Sequence, residues 1–318
     1  MKLQKPKFWD LKKPNLISYI LLPFTIPITI NNLLLNLRTP KRNNKIKSIC
    51  VGNIYVGGTG KTPATIKLYN ICKDIFENVC TGKKYYSSQN DEQILLKKKT
   101  DLICEENREK IIEKAIYLKN KIIIFDDGLQ DKKIHFDTRI VCFDIQNWIG
   151  NGYLLPSGPL REKLNSLKKY DIVFLKGNSE NSDINEIIKS IQNQNSKIEI
   201  FQTYYQPMNL EKFDKKSNYL IFSGIGNPNS FKETLSLNKI NIVKEMIFPD
   251  HNIYTDDDIN IIKSKAKNLN AKIITTEKDY LKLSEKNRDG IDFLEIDLII
   301  KNEKKLIDLI KLVVNEKF

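Results

Sequence analysis

The chain has 318 residues, enough for two domains at ~150 residues each, and 41% of it is hydrophobic, enough for a real core. With 13 Gly and 11 Pro it is neither collagen-like nor low-complexity, and that apolar content excludes a wholly disordered chain. Its 52 Lys+Arg against 39 Asp+Glu leave +13, which favours phosphate-bearing partners such as a nucleotide, a nucleic acid or an anionic membrane. Lys, Asn and Ile are abundant throughout, so charge alone selects none of these. The cysteines Cys50, Cys72, Cys80, Cys104 and Cys142 are odd in number and form no CxxC pair, and only His135 and His251 are histidine. Buried free thiols in a reducing compartment fit better than a disulfide framework, a zinc site or a multi-histidine metal centre.

Lys2, Lys5, Lys7, Lys12 and Lys13 precede an apolar stretch from Leu16 to Ile30, and Arg38, Lys41 and Arg42 follow it. The stretch is shorter than the ~20 residues of a spanning helix, carries Ser18, Thr25 and Thr29, and holds Pro23 and Pro27. No small-residue cleavage site follows it. The pattern predicts an interfacial hairpin or helix, with Phe8, Trp9 and Tyr19 at headgroup depth and lysines on anionic lipid. The alternative is a core helix that happens to come first.

After a polar linker, Arg38–Asn44, strands alternate with helices. Apolar runs predict strands at Ile46–Val51, Leu102–Cys104, Ile122–Phe125, Ile140–Asp144, Ile172–Leu175, Ile198–Phe201, Tyr219–Phe222 and Ile273–Thr275. Helical spacing predicts Thr62–Lys73, Arg108–Lys119 and an amphipathic Lys304–Glu316. Such alternation argues for an α/β fold with parallel sheets. The Gly/Pro-rich piece Gly150–Pro159 reads as a hinge.

The strongest local signal is Val51–Pro63, where a strand ends, a glycine-rich loop turns and Gly60-Lys61-Thr62 opens a helix. Backbone N–H groups of Gly57, Gly58, Thr59 and Gly60 at a helix N-terminus cradle phosphate oxygens. Lys61 would reach the β- and γ-phosphates and the Thr62 hydroxyl would ligate Mg²⁺. The strict motif has Gly where Tyr55 stands. Asp126 and Asp127 end an apolar strand and supply the carboxylates that the metal shell needs, at the edge where doubly wound sheets bind ligands. A GTPase is disfavoured, because Asn238-Lys239-Ile240-Asn241 lacks the guanine-reading aspartate and Thr276–Asp279 is not that motif. Partitioning ATPases carry a signature lysine where Val56 stands. A small-molecule kinase remains, with a P-loop switch ATPase acting at membrane or DNA as its rival.

Seven blocks in order resemble the tetraacyldisaccharide 4'-kinase family: Val51–Pro63, Asn90–Leu96, Asp126–Gln130, Leu154–Glu162, Phe222–Pro228, Phe248–His251 and Thr276–Asp279. Asp131 stands where a histidine is common, and Thr81–Tyr86 with a short gap replaces the family's Ser-Arg-Gly-Tyr-Gly loop. The resemblance implies phosphorylation by Mg-ATP of the 4' hydroxyl of a tetraacylated glucosamine disaccharide 1-phosphate, in lipid A synthesis. It implies Asp91 as general base with His251 as its partner, Arg108 and Arg161 near the reacting phosphates, and Gln130 and Glu162 in the same shell. Without it, Arg108 reads as a solvated helix residue and Arg161 as a hinge salt bridge. The partners implied are the lipid substrate and the cytoplasmic face of a bacterial inner membrane, with no nucleic acid and no obligate protein. The organisation expected is a membrane-associating segment and linker at 1–44 and a P-loop domain at 45–149. A hinge at 150–162 and a second α/β domain at 163–318 follow, giving two α/β/α sandwiches, with the last helix free to pack on the first.

Overall fold

The structure, a computed structural model, describes residues 5–86, 90–177 and 184–315, so Lys2 and Glu316 fall outside it. Apolar runs bounded by polar turns become β1 (Lys47–Gly52), β2 (Val79–Lys84), β3 (Leu102–Glu105), β4 (Ile122–Asp126), β5 (Thr138–Asp144), β6 (Ile172–Lys176), β7 (Glu199–Pro207), β8 (Asn218–Ser223), β9 (Asn241–Ile247), β10 (Ala271–Thr276), β11 (Ile291–Leu294) and β12 (Ile296–Ile300). The helices are α1 (Leu16–Leu21), α2 (Ile26–Asn36), α3 (Lys61–Ile75), α4 (Asn90–Lys99), α5 (Arg108–Tyr117), α6 (Ile184–Gln194), α7 (Pro228–Leu237), α8 (Asp256–Asn268), α9 (Glu277–Tyr280), α10 (Glu285–Arg288) and α11 (Glu303–Asn315). Every strand expected from an apolar run is present. Apolar patterning missed β2, β9, β11 and β12. β2 reads Val-Cys-Thr-Gly-Lys-Lys, without an apolar run, and β9 is a sheet edge with most of its residues in water.

The chain divides into two compact units, one holding Lys5–Tyr85, Lys99–Tyr204 and the residues from Ile299 onward, the other Tyr86–Lys98 and Tyr205–Leu298. The segment 150–162 lies inside the larger unit, as does α11.

The sheet of the larger unit is ordered β12-β7-β6-β5-β1-β4-β2-β3, with the chain passing from one unit to the other within β7 and again within β12, and every pairing from β7 to β3 is parallel. Its central strands are buried on both faces, which is why β4 begins as an unbroken Ile-Ile-Ile-Phe run rather than an alternating one. Phe125, Val141, Phe143, Val173 and Leu175 join Ile111 and Ala115 of α5 in one core. Each such large side chain contributes roughly 1.5–3 kcal/mol by leaving water. Parallel register sets Val51 beside Asp126, so the loop leaving β1 and the carboxylates ending β4 emerge side by side. That juxtaposition is what the site is built on.

The smaller unit has a four-stranded parallel sheet ordered β11-β10-β8-β9. Successive β8 side chains alternate between faces. Leu220 and Phe222 meet Ile259 and Ile262 of α8, while Tyr219 and Ile221 meet Phe231 and Leu235 of α7. Helices thus cover both faces. Thr255 and Asp258 form a reciprocal capping box at the start of α8, and Asn227 caps α7 with Pro228 in its first turn.

Leu16–Asn36 is helical through a short 3-10 turn and carries a mean hydropathy of 1.5 over 21 residues, long and apolar enough to cross a membrane by length and composition. The helix outlasts the apolar stretch that ends at Ile30. Leu16, Ile20, Phe24, Leu33, Leu34 and Leu37 are exposed. Trp9 is half-buried: its indole donates to the Pro156 carbonyl at 3.0 Å, and its own carbonyl accepts from Asn151 N–H at 3.0 Å.

Candidate active site

The phosphate loop turns because Gly57 and Gly60 adopt φ of +143° and +87°, values that side-chain-bearing residues rarely take. Gly60 caps the N-terminus of α3, and the Asn53 amide pins the loop from within by donating to Gly57 O at 3.3 Å and Thr59 Oγ1 at 3.0 Å. The segment after Gly150 lies against this loop, with Val56 N–H donating to Pro159 O at 2.9 Å and Arg161 N–H to Ile54 O at 2.7 Å. Tyr55, at the position of a glycine in the strict motif, packs with Leu154 and Leu160 in a small core of its own. Its hydroxyl accepts from Lys5 at 2.6 Å and donates to Asp10, tying the N-terminal residues to the loop.

Around the loop, acids and bases alternate. Thr62 Oγ1 donates to Asp126 Oδ2 at 3.1 Å, and Lys61 Nζ lies 3.7 Å from Asp127 Oδ2. Asp127 holds φ of +58°, a left-handed conformation uncommon outside glycine. Arg161 donates to Asp127 Oδ1 at 3.2 Å and to Gln130 Oε1 at 3.4 Å. Gln130 donates in turn to Glu162 Oε1 at 3.0 Å and to the Asn53 carbonyl at 3.0 Å, and Glu162 also accepts from the Tyr170 hydroxyl. Arg108 is buried, not solvated: it donates to the Asp127 carbonyl and to Asp131 Oδ2 at 3.0 Å. Asp131 thus serves as partner to an arginine where the family commonly has histidine.

Lys83 escaped the reading of the motifs. It sits at the end of β2, and its ammonium donates to Asp126 Oδ2 at 2.8 Å with both side chains out of water. The sequence signal was a lysine in Thr81–Tyr86, the segment that replaces the family's loop.

The oxygen donors of Thr62, Asp126 and Asp127 suit a hard divalent cation such as Mg²⁺. Among the described residues there is no cluster of three or more His, Cys, Asp or Glu able to hold a metal.

In the smaller unit, Asp91 opens α4 and is 3% exposed. His251 follows β9 with φ of +56°, a left-handed turn that places its ring Nδ1 2.8 Å from Asp91 Oδ1 and 3.1 Å from Oδ2. Two lysines of the Thr276–Asp279 region also reach Asp91 Oδ2, Lys278 at 3.2 Å and Lys282 at 3.6 Å. Burial alone would raise the Asp91 carboxyl. The hydrogen bond from His251 and the charges of Lys278, His251 and Lys282 outweigh it and hold the group well below the usual carboxylate range.

The residues singled out in the sequence therefore assemble as two clusters: the loop, Asp126, Asp127, Arg108, Gln130, Arg161 and Glu162 in one unit, and Asp91 with His251 in the other. Residues 22–315 match the family described as Tetraacyldisaccharide-1-P 4'-kinase. The chain belongs to the tetraacyldisaccharide 4'-kinase family. It is similar to the tetraacyldisaccharide 4'-kinase of Pelagibacter ubique (strain HTCC1062), 49% identical over 321 residues with 100% of each chain covered. It is also similar to that of Rickettsia bellii (strain OSU 85-389), 37% identical with 98% of each covered. A solved structure of LpxK from Aquifex aeolicus in complex with ATP shares the fold, with a TM-score of 0.69 at 23% identity, covering 94% of this chain and 100% of that one. This member of the 4'-kinase family is a kinase, and its P-loop and α/β architecture follow the family's.

Proposed function

We propose that this chain transfers the γ-phosphoryl group of ATP to the 4' hydroxyl of a tetraacylated glucosamine disaccharide 1-phosphate, giving the bis-phosphorylated lipid A precursor. The observation that carries the reading is the P-loop threonine hydrogen-bonded to the aspartate that ends β4, in a chain alignable to 4'-kinases along its whole length.

Lys61 and the loop amides hold the triphosphate. Thr62, Asp126 and Asp127 would hold Mg²⁺, which when bound neutralises charge on the β- and γ-phosphate oxygens. Arg161 presents a planar, permanently charged group to phosphate oxygens, on the nucleotide or on the substrate's own phosphate, while Arg108, engaged with Asp131 and the Asp127 carbonyl, adds positive charge beside them. Phosphoryl transfer has a loose transition state, so positioning and charge stabilisation dominate. The acceptor O–H gives its proton to Asp91, with His251 sharing the charge, as the new P–O bond forms and the bond to the β-phosphate oxygen breaks. General-base help is worth ~10²–10⁴ in rate when the base's pKa lies near the working pH, and the depressed Asp91 carboxyl places its share at the low end.

The exposed apolar face of α1 and α2, flanked by Lys12, Lys13 and Arg38, supports peripheral or monotopic contact with the cytoplasmic face of the inner membrane. Acyl chains then stay in the bilayer while the headgroup is presented to the site.

The test is γ-labelled ATP with purified protein and tetraacyldisaccharide 1-phosphate in micelles, products separated by chromatography, beside Lys61→Ala and Asp91→Ala. Label on the lipid that disappears in both variants is the expected result. Label surviving in Asp91→Ala moves the base elsewhere, and ATP turnover without lipid label returns the chain to the switch-ATPase reading.

A further inference from the structure

Three blocks of the smaller unit, Phe222–Pro228, Phe248–His251 and Thr276–Asp279, supply only His251 to the chemistry so far. One carboxylate binds them together. Asp279, with no exposure, accepts from Gly224 N–H at 3.0 Å, from the Tyr254 hydroxyl at 3.0 Å and from Thr276 Oγ1 at 2.7 Å, and pairs with Lys282 at 2.6 Å. It thereby locks the turn after β8, the residues just beyond His251, and the start of α9. A side chain at Gly224 would meet Pro249 O and the Tyr254 hydroxyl at 3.0 Å, so these pieces leave little room to drift.

What this scaffold presents is Lys278. Its side chain is 18% exposed, and its ammonium faces Asp91 Oδ2 at 3.2 Å, Glu92 Oε1 at 3.6 Å and Asp250 Oδ1 at 3.7 Å. Asp91 is divided accordingly. Oδ1 takes the Glu92 N–H at 2.9 Å and the shorter of the two contacts from His251 Nδ1, 2.8 Å against 3.1 Å to Oδ2, while the lysines gather on Oδ2. We propose that Lys278 is a positioning residue for the 4'-kinase reaction, clamping Asp91 Oδ2 so that the carboxylate stays anionic and keeps Oδ1 on His251. The proposal rests on the reading of Asp91 as the base.

The surrounding charges fit this role. Burial opposes the Lys278 ammonium, but Glu92, Asp250, Asp91 and Asp279 outweigh it and keep the group charged above the usual lysine range. Lys282 is the weaker partner of Asp91, since its nearer neighbour is Asp279. Lys278 is thus the cation whose removal Asp91 should feel most.

The experiment is kcat/KM against pH for the full chain and its Lys278→Met, Lys278→Arg, Lys282→Met and Asp91→Asn variants, with affinity for a fluorescent ATP analogue measured on each. In Lys278→Met the acid limb should move up by about one pH unit or more, the shift expected when an opposite charge leaves a carboxylate. ATP-analogue affinity should stay put, and Lys278→Arg should return the limb toward its original position. Lys282→Met should move it less. An acid limb that coincides with the unsubstituted protein's in Lys278→Met, while Asp91→Asn is inactive, overturns the role of Lys278 alone. An active Asp91→Asn overturns the base assignment itself. Should Lys278→Met fail to fold, Lys278→Gln carries the same comparison, and loss of ATP-analogue binding along with activity in both would mark the lysine as structural and sink the proposal.

Discussion

The Lys83 ammonium and the Asp126 carboxylate meet at 2.8 Å with side-chain exposures of 1% and 0%. Asp126 Oδ2 also accepts from Thr62, so one oxygen joins β2, β4 and the first turn of α3. Removing one partner of a buried pair leaves the other charge uncompensated, at ~3–5 kcal/mol. Lys83→Met should therefore lose stability of that order in urea unfolding, and Lys83→Arg should recover part of it. A Lys83→Met protein as stable as its parent would mean that the pair contributes nothing net.

Lys61 lies 3.7 Å from Asp127, close to the carboxylate but beyond hydrogen-bonding distance. Its substitution by alanine should leave folding intact and weaken ATP-analogue binding by roughly tenfold to a hundredfold, the worth of one hydrogen bond to a charged group. Titration calorimetry with a non-hydrolysable analogue reads this directly, and unchanged affinity would contradict the phosphate-loop assignment.

The depressed Asp91 carboxyl also makes stability depend on pH. A group ionised more readily in the folded than in the unfolded chain stabilises above its ordinary pKa of ~3.9, and that stabilisation is lost as pH falls toward its folded value. Asp91→Asn should accordingly be less stable than the parent near neutrality, with the difference shrinking below about pH 4. Chemical denaturation at several pH values checks it, and a gap that widens on acidification would reverse the sign of the argument.

All five cysteines are free thiols, and Cys104 alone is not fully buried. Burial pushes the Cys72, Cys80 and Cys142 thiols up to about 12 and that of Cys50 further still. Since the thiolate is the reactive form, a thiol reagent at neutral pH should modify Cys104 first and the others only on unfolding. Cys104→Ser should remove the fast phase.

Leu33, Leu34 and Leu37 are exposed at the end of α2 and just past it. Inserted into lipid, each would contribute on the order of 1.5–3 kcal/mol. Changing all three to serine should lower sedimentation with anionic vesicles by at least about tenfold while ATP-analogue binding persists. Equal sedimentation would move the membrane contact off this helix.

The P-loop was legible because its signal is contiguous: strand end, glycines, lysine and threonine follow one another. Asp126 and Asp127 were legible for a related reason, as polar residues closing an unbroken apolar strand. β2 was not, since threonine, glycine and two lysines carry no apolar period, and only pairing with β3 and β4 makes them a strand. Arg108 looked like a surface helix residue because nothing local says that Asp127 and Asp131 lie against it.

From the chain alone came the α/β class, the P-loop, the acidic pair and the family, because local spacing and block order encode them. Tertiary structure decided the rest. Asp91 and His251 stand 160 positions apart, and Lys83 and Asp126 stand 43 apart. What each carboxylate can do depends on which cations folding packs against it once water is excluded, and spacing along a chain carries no information about that exclusion.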